Sequence, residues 1–100
     1  MASSVENGML NFRKAYTGSG SGVDETRVPD NIKEITALVS ASSGTVAVEV
    51  SFDTWEEIQA NGGTWIVAAT TTGAVTKADV KNATAFRVNH GTGTVVISGK

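Results

Sequence analysis

Asp53, Glu56 and Glu57 form the densest group of acids in the chain, and carboxylates so close together are the raw material of general acid–base chemistry or of a Ca²⁺ site. Glycoside hydrolysis needs two carboxylates roughly 5 to 10 Å apart across a cleft, and Ca²⁺ takes about six or more oxygens, more than these side chains supply. A solvated loop beside a Trp accounts for them without chemistry. His90 is the only histidine, and there is no cysteine. One imidazole without thiolates makes no structural zinc site unless several carboxylates join it. A Ser-His-Asp arrangement would have to assemble around Asn89-His90-Gly91-Thr92-Gly93, which reads as a water-exposed turn. A phosphate cradle needs a helix amino-terminus behind its glycines, and here a strand pattern follows. The chain is therefore read as non-enzymatic, with no cofactor and no metal.

Trp55 and Trp65 are the two residues that suit a binding role of another kind, because an indole face on a β-sandwich can stack on a sugar ring. That gives an alternative function, a carbohydrate-binding module using surface Trp. A small domain also needs its few aromatics for its core, and both are expected there. Arg87 projects from a strand whose opposite face is apolar, and Glu49 is an outward carboxylate that it can pair with across a sheet.

The amino-terminal segment holds Met9, Leu10, Phe12 and Tyr16 around the adjacent bases Arg13 and Lys14, followed by TGSGSG at 17 to 22. Such an apolar cluster has no room for its own core, so it docks on a partner, folds back on the body or trails as a tail. Docking is the reading carried forward, with these six residues as the partner-binding set. The Gly/Ser alternation behaves as a flexible tether. Pro29, the only proline, biases Val28 towards extended geometry and marks the entry to the folded body. The division expected is an extended arm and hinge over 1–31 and a β-sandwich domain over 32–100.

The elements that would hold these residues are strands. Val46, Val48, Val50 and Phe52 alternate with Ala47, Glu49 and Ser51, a period of two that places four large apolar side chains on one face and demands a second apolar layer. Ile35 to Ser40 alternates likewise, and Ser42-Ser43-Gly44 reads as the turn of a hairpin between the two. Asp53 suits the cap of at most one helical turn. Asn61-Gly62-Gly63 is a turn signal leading into Thr64 to Ala69, apolar on both faces as a buried central strand would be. Lys77 to Asn82 reads as a polar connection anchored by Val80, and His90 to Gly93 as a final hairpin turn. The expected core is Ile35, Val39, Val46, Val48, Val50, Phe52, Trp55, Trp65, Val67, Phe86, Val88, Val95 and Ile97. The fold class is all-β, a small antiparallel β-sandwich or jelly-roll-like barrel with an extended amino-terminal arm.

Composition agrees with that class. In 100 residues, 40% are hydrophobic and 18% charged, with 11 Gly and one Pro, the mix of short strands and tight turns. A net charge of −2 without a long basic run speaks against a domain that works by neutralising nucleic-acid phosphates. No segment approaches the roughly 20 apolar residues of a membrane helix, and the first residues lack a secretory pattern. Without disulfides, so small a domain is held by packing and by neighbouring subunits.

Gly44-Thr45-Val46-x-Val48-x-Val50-Ser51-Phe52-Asp53-x-Trp55, the Gly62-Gly63-Thr64 turn, Ala85-Phe86-Arg87-Val88-Asn89 and Gly93 to Gly99 together resemble the small β-sandwich structural proteins of tailed bacteriophages. The resemblance covers about residues 34 to 99. It implies a head decoration (cement) or fibre-like virion protein with no catalytic residues. Its partners would be the major capsid protein or other virion proteins, and the chain would form a homo-oligomer, dimer or trimer. It would be located in the virion, assembled in the bacterial host cytoplasm.

Overall fold

The computed structural model describes residues 12–19 and 25–100; side chains at 17–19 and 89–91 lie outside the description. The described chain is all-β: β1 (Phe12–Ser19), β2 (Thr26–Arg27), β3 (Glu34–Ser51), a helix α1 (Trp55–Asn61), β4 (Ile66–Thr71), β5 (Thr76–Lys81) and β6 (Ala85–Gly99). The six strands make one antiparallel sheet in the order β1-β6-β3-β4, with β2 also on β6 and β5 also on β3.

Two long strands, β3 and β6, form the spine and pair along their whole length, from Ile35↔Gly99 to Ser51↔Ala85. On the outer side of β3, β5 covers the first half and β4 the second. On the outer side of β6, β1 covers the second half and β2 touches the first. The sheet thus has two halves, each with its own edge strands, and it curls at the place where the β3–β6 register shifts, between Ala41 and Val46.

That corner lets both halves bury the same face. Inward residues of β3 are odd-numbered through Ile35, Ala37 and Val39 and even-numbered through Val46, Val48 and Val50. In β6 the change runs the other way, from Phe86 and Val88 to Val95 and Ile97. Extra residues at bulges reset the alternation and tighten the local twist. All of these side chains belong to one core, which Val28, Ile32, Ala69 and Ala83 complete.

The corner replaces two hairpins expected from the sequence. Ser42-Ser43-Gly44 does not reverse the chain; Gly44 takes a positive φ of 73° and β3 continues through it. His90 to Gly93 likewise lies within the uninterrupted β6. Gly93 is needed there because the strands approach so closely that a Cβ would stand 2.1 Å from the Ser40 carbonyl oxygen. Lys77 to Lys81, expected as a polar connection, lies in β5, whose side chains alternate between half-buried and exposed as one-sided strands do.

Four residues expected in the core lie outside it. Phe52 is 50% exposed because β3 ends at Ser51, which is itself fully buried, and the alternation stops there. Trp55 and Trp65 are half-buried. Val67 is 53% exposed because the β3–β4 register shifts between Val48↔Ala69 and Glu49↔Val67, leaving Ala68 as the extra residue and turning Val67 to the outward side of Glu49. The run from Thr64 to Ala69 therefore feeds an edge strand, not a central one. The helix spans seven residues and buries Ile58, with Thr54, not Asp53, as its cap: Thr54 Oγ1 accepts from the Glu57 amide at 3.1 Å. Gly62, at φ 87°, ends it in the left-handed conformation that a C-terminal cap favours.

The described part of the 1–31 segment joins the same sheet as 32–100. Phe12 to Ser19 runs along β6, Thr26 and Arg27 pair with Phe86 and Ala85, and Val28 is buried.

Candidate functional site

The proposed partner-binding residues Phe12, Arg13, Lys14 and Tyr16 lie on β1, while Met9 and Leu10 fall outside the described residues. Phe12 and Tyr16 stand opposite Gly99 and Val95 and pack against the core, and the Phe12 ring meets Phe86 edge-on with centroids 5.9 Å apart. Arg13, Lys14 and Ala15 are exposed. The two aromatics anchor the strand to its own body, and the two bases remain on a sheet edge whose outer side no described strand covers.

A second surface lies on the outer face of the β3–β6 pair. Arg87 and Glu49 are opposite each other, and Arg87 Nε donates to Glu49 Oε1 at 2.5 Å. Glu25 adds a longer ion pair at 3.9 Å. The guanidinium also lies 4.4 Å from the Trp65 ring centroid, and the Trp65 indole N–H donates to the Gly62 carbonyl at 2.7 Å. Trp65 is thereby engaged on its face and at its nitrogen by groups of the same chain. Beyond it runs β4, with Ile66 and Val67 each 53% exposed.

The third feature is a cavity of about 310 Å³ at one end of the sheet, formed by the segments 27–33, 54–56 and 82–84. Main-chain bonds tie its walls: the Val28 amide donates to Thr84 O at 2.9 Å, the Thr84 amide to Ser51 O at 2.9 Å and the Asn82 amide to Lys33 O at 2.8 Å. Trp55 lines it, and Asn82, at φ 64°, is the one non-glycine residue with positive φ among those described.

The acidic trio does not converge. Asp53 Oδ2 accepts from the Thr64 amide at 2.6 Å, fastening the loop after α1, and Glu57 Oε2 accepts from Asn61 Nδ2 at 2.9 Å along the helix. Glu56 lines the end cavity. Among the described residues no three His, Cys, Asp or Glu side chains are grouped to hold a metal ion, and no helix is long and apolar enough to cross a membrane. The end cavity escaped sequence reasoning because its walls come from three distant segments; only the tryptophan gave a signal.

No family model matches the chain, and no curated protein matches it. Among solved structures it is similar to a chain of the structure described as "Bacillus endospore appendages form a novel family of disulfide-linked pili". The two are 12% identical with a TM-score of 0.50, over 90% of this chain and 84% of that one. At this identity the likeness is one of fold, and it agrees with the all-β architecture.

Proposed function

We propose that this chain is a non-enzymatic structural subunit that builds a repetitive assembly by pairing its open sheet edges with further copies of itself. The observation that carries this is β4, an edge strand with Ile66 and Val67 half exposed and no charged residue from Thr64 to Thr76. Natural edge strands are normally guarded by charges, proline or a covering element, since their unpaired amides and carbonyls form a template for another strand. The register shift at Ala68 turns Val67 outward, so an apolar side chain stands on the solvent side of this edge. The opposite edge is β1, which carries Phe12, Arg13, Lys14 and Tyr16 of the partner-binding set, while Met9 and Leu10 lie outside the described residues. The pilus likeness supports self-association. With no cysteine, the joints of this chain would be non-covalent, unlike those of the disulfide-linked pili.

The setting we propose is the virion of a tailed bacteriophage. There the subunit, as a dimer or trimer, would decorate the major capsid protein, with the segment through residue 31 contributing to the docking. The motif resemblance over residues 34 to 99 supports this finer reading. Repetition over a symmetric shell would make weak single contacts sufficient.

Light scattering on the full chain across a concentration series tests self-association, with negative-stain microscopy of the same samples. Oligomers or fibres that grow with concentration, and that Val67→Lys disperses, are expected. A monomer at every concentration overturns the reading. Co-sedimentation with phage heads lacking decoration protein tests the finer setting separately.

A further inference from the structure

The end cavity has the chemistry of a receptor site, and from it we infer that the chain binds a neutral sugar residue, a hexose or the terminal unit of a neutral glycan, on Trp55. The site stands on the cavity alone, whether or not the chain assembles. Its volume of about 310 Å³ lies at the small end of ligand pockets and suits one pyranose ring.

The lining balances its charges. Arg27 and Lys33 face Asp30 and Glu56, and the first three are already engaged with one another. Arg27 Nη2 lies 3.5 Å from Asp30 Oδ1, and Lys33 Nζ donates to the Asp30 carbonyl at 3.1 Å. Neither a phosphate nor a cation would find a surplus of opposite charge. A polyhydroxy ligand instead finds both donors and acceptors, since each hydroxyl can give and take a hydrogen bond. The apolar requirement of a sugar, whose ring carbons present a face of C–H groups, is met by an indole.

Trp55 is the tryptophan left for that role. Trp65 is covered by Arg87 and spends its N–H on Gly62, whereas Trp55 makes no such bond among the described residues and stays half-buried at the cavity wall. Asn82 adds an exposed amide on a backbone held at φ 64°, the left-handed turn conformation that Asn tolerates. The main-chain bonds that tie Val28, Lys33, Asn82 and Thr84 form the site before any ligand arrives, so little ordering opposes binding.

Titration of the ¹⁵N-labelled full chain with glucose, galactose, mannose and N-acetylglucosamine tests the inference, with glucuronate and inorganic phosphate as charged probes. At least one neutral sugar should shift the Trp55 indole resonance saturably, with a dissociation constant on the order of 1 mM, as expected for so small a ligand. The Trp65 resonance should stay in place. Trp55→Ala should abolish the shift of the neighbouring amides. Asn82→Gly, which keeps the backbone conformation and removes the amide, should weaken binding several-fold and serves if Trp55→Ala does not fold. No saturable shift with any neutral sugar overturns the inference, as does a shift that survives both substitutions or one produced equally by the charged probes.

Discussion

Glu49 and Val67 stand opposite each other across β3 and β4, one step after Val48 and Ala69 do the same, so that Ala68 has no counterpart on β3. This single extra residue carries Ala69 into the core and Val67 to the outside. A substitution at Val67 should consequently act on association and not on folding. Val67→Lys is expected to leave the unfolding free energy of the monomer within about 0.5 kcal/mol of the parent, as surface changes do. Scattering of the same sample should show the loss of oligomers. A large drop in thermal stability would place Val67 in the core after all.

Val48 lies on the other side of the same step and is fully buried. Val48→Ala removes two methyl groups from a cluster contributed by both halves of the sheet and should cost about 1 to 3 kcal/mol in denaturant unfolding. In a domain whose total stability is on the order of 5 to 15 kcal/mol, that is a large share.

How much of this was legible follows from the range of each signal. The inward set Val46, Val48 and Val50 could be read directly, because alternation is local and survives as long as the strand does. The Arg87 and Glu49 pair could be read as well, both being outward residues on neighbouring strands. Ser42-Ser43-Gly44 and His90 to Gly93 could not, because the same small and flexible residues permit a reversal or a bend. The choice is made by the length over which β3 and β6 find each other, a long-range property. Val67 and Phe52 were misplaced for a related reason: a bulge or a strand end resets the period without leaving a mark in residue type.

The corner gives a pair of glycine substitutions with opposite outcomes. A Cβ on Gly93 would meet Ser40 O at 2.1 Å, Ala41 Cα at 2.9 Å and Val46 Cγ2 at 2.9 Å, two of them backbone atoms that cannot swing aside. Gly93→Ala should destabilise the fold by more than about 2 kcal/mol. Gly73 has nothing within 4 Å of its added Cβ and no positive φ, so Gly73→Ala should be neutral or stabilising by up to about 1 kcal/mol through the unfolded chain. Thermal melts of the two variants decide the matter, and equal effects would refute the close approach of the strands.

Arg87 bridges Glu49 and the Trp65 ring, with roughly a quarter of its side chain exposed. A double-mutant cycle of Arg87→Ala and Glu49→Ala should give a coupling of about 1 kcal/mol, more than a fully exposed pair and less than a buried one. Arg87→Ala should also change the emission of Trp65 while leaving that of Trp55 unaltered, as read in Trp→Phe backgrounds. Zero coupling would mean that the cation rests on the ring alone.

The amino-terminal segment allows the sharpest separation of folding from assembly. Because β1 covers the second half of β6 through eight register pairs, and Phe12 and Tyr16 pack against the core, its removal should harm the body itself. Deleting residues 1–22 should therefore lower stability below that of a 1–11 deletion by at least about 2 kcal/mol, from the partial burial of those two aromatics. The exposed edge of β6 left behind should also promote non-native association. The 1–11 deletion retains β1 and removes Met9 and Leu10, so a variant whose melt matches the parent reports through its capsid or self-association binding on those residues. If the 1–22 deletion instead melts with the 1–11 deletion, β1 adds nothing to the sheet, and the segment is free to serve a neighbour.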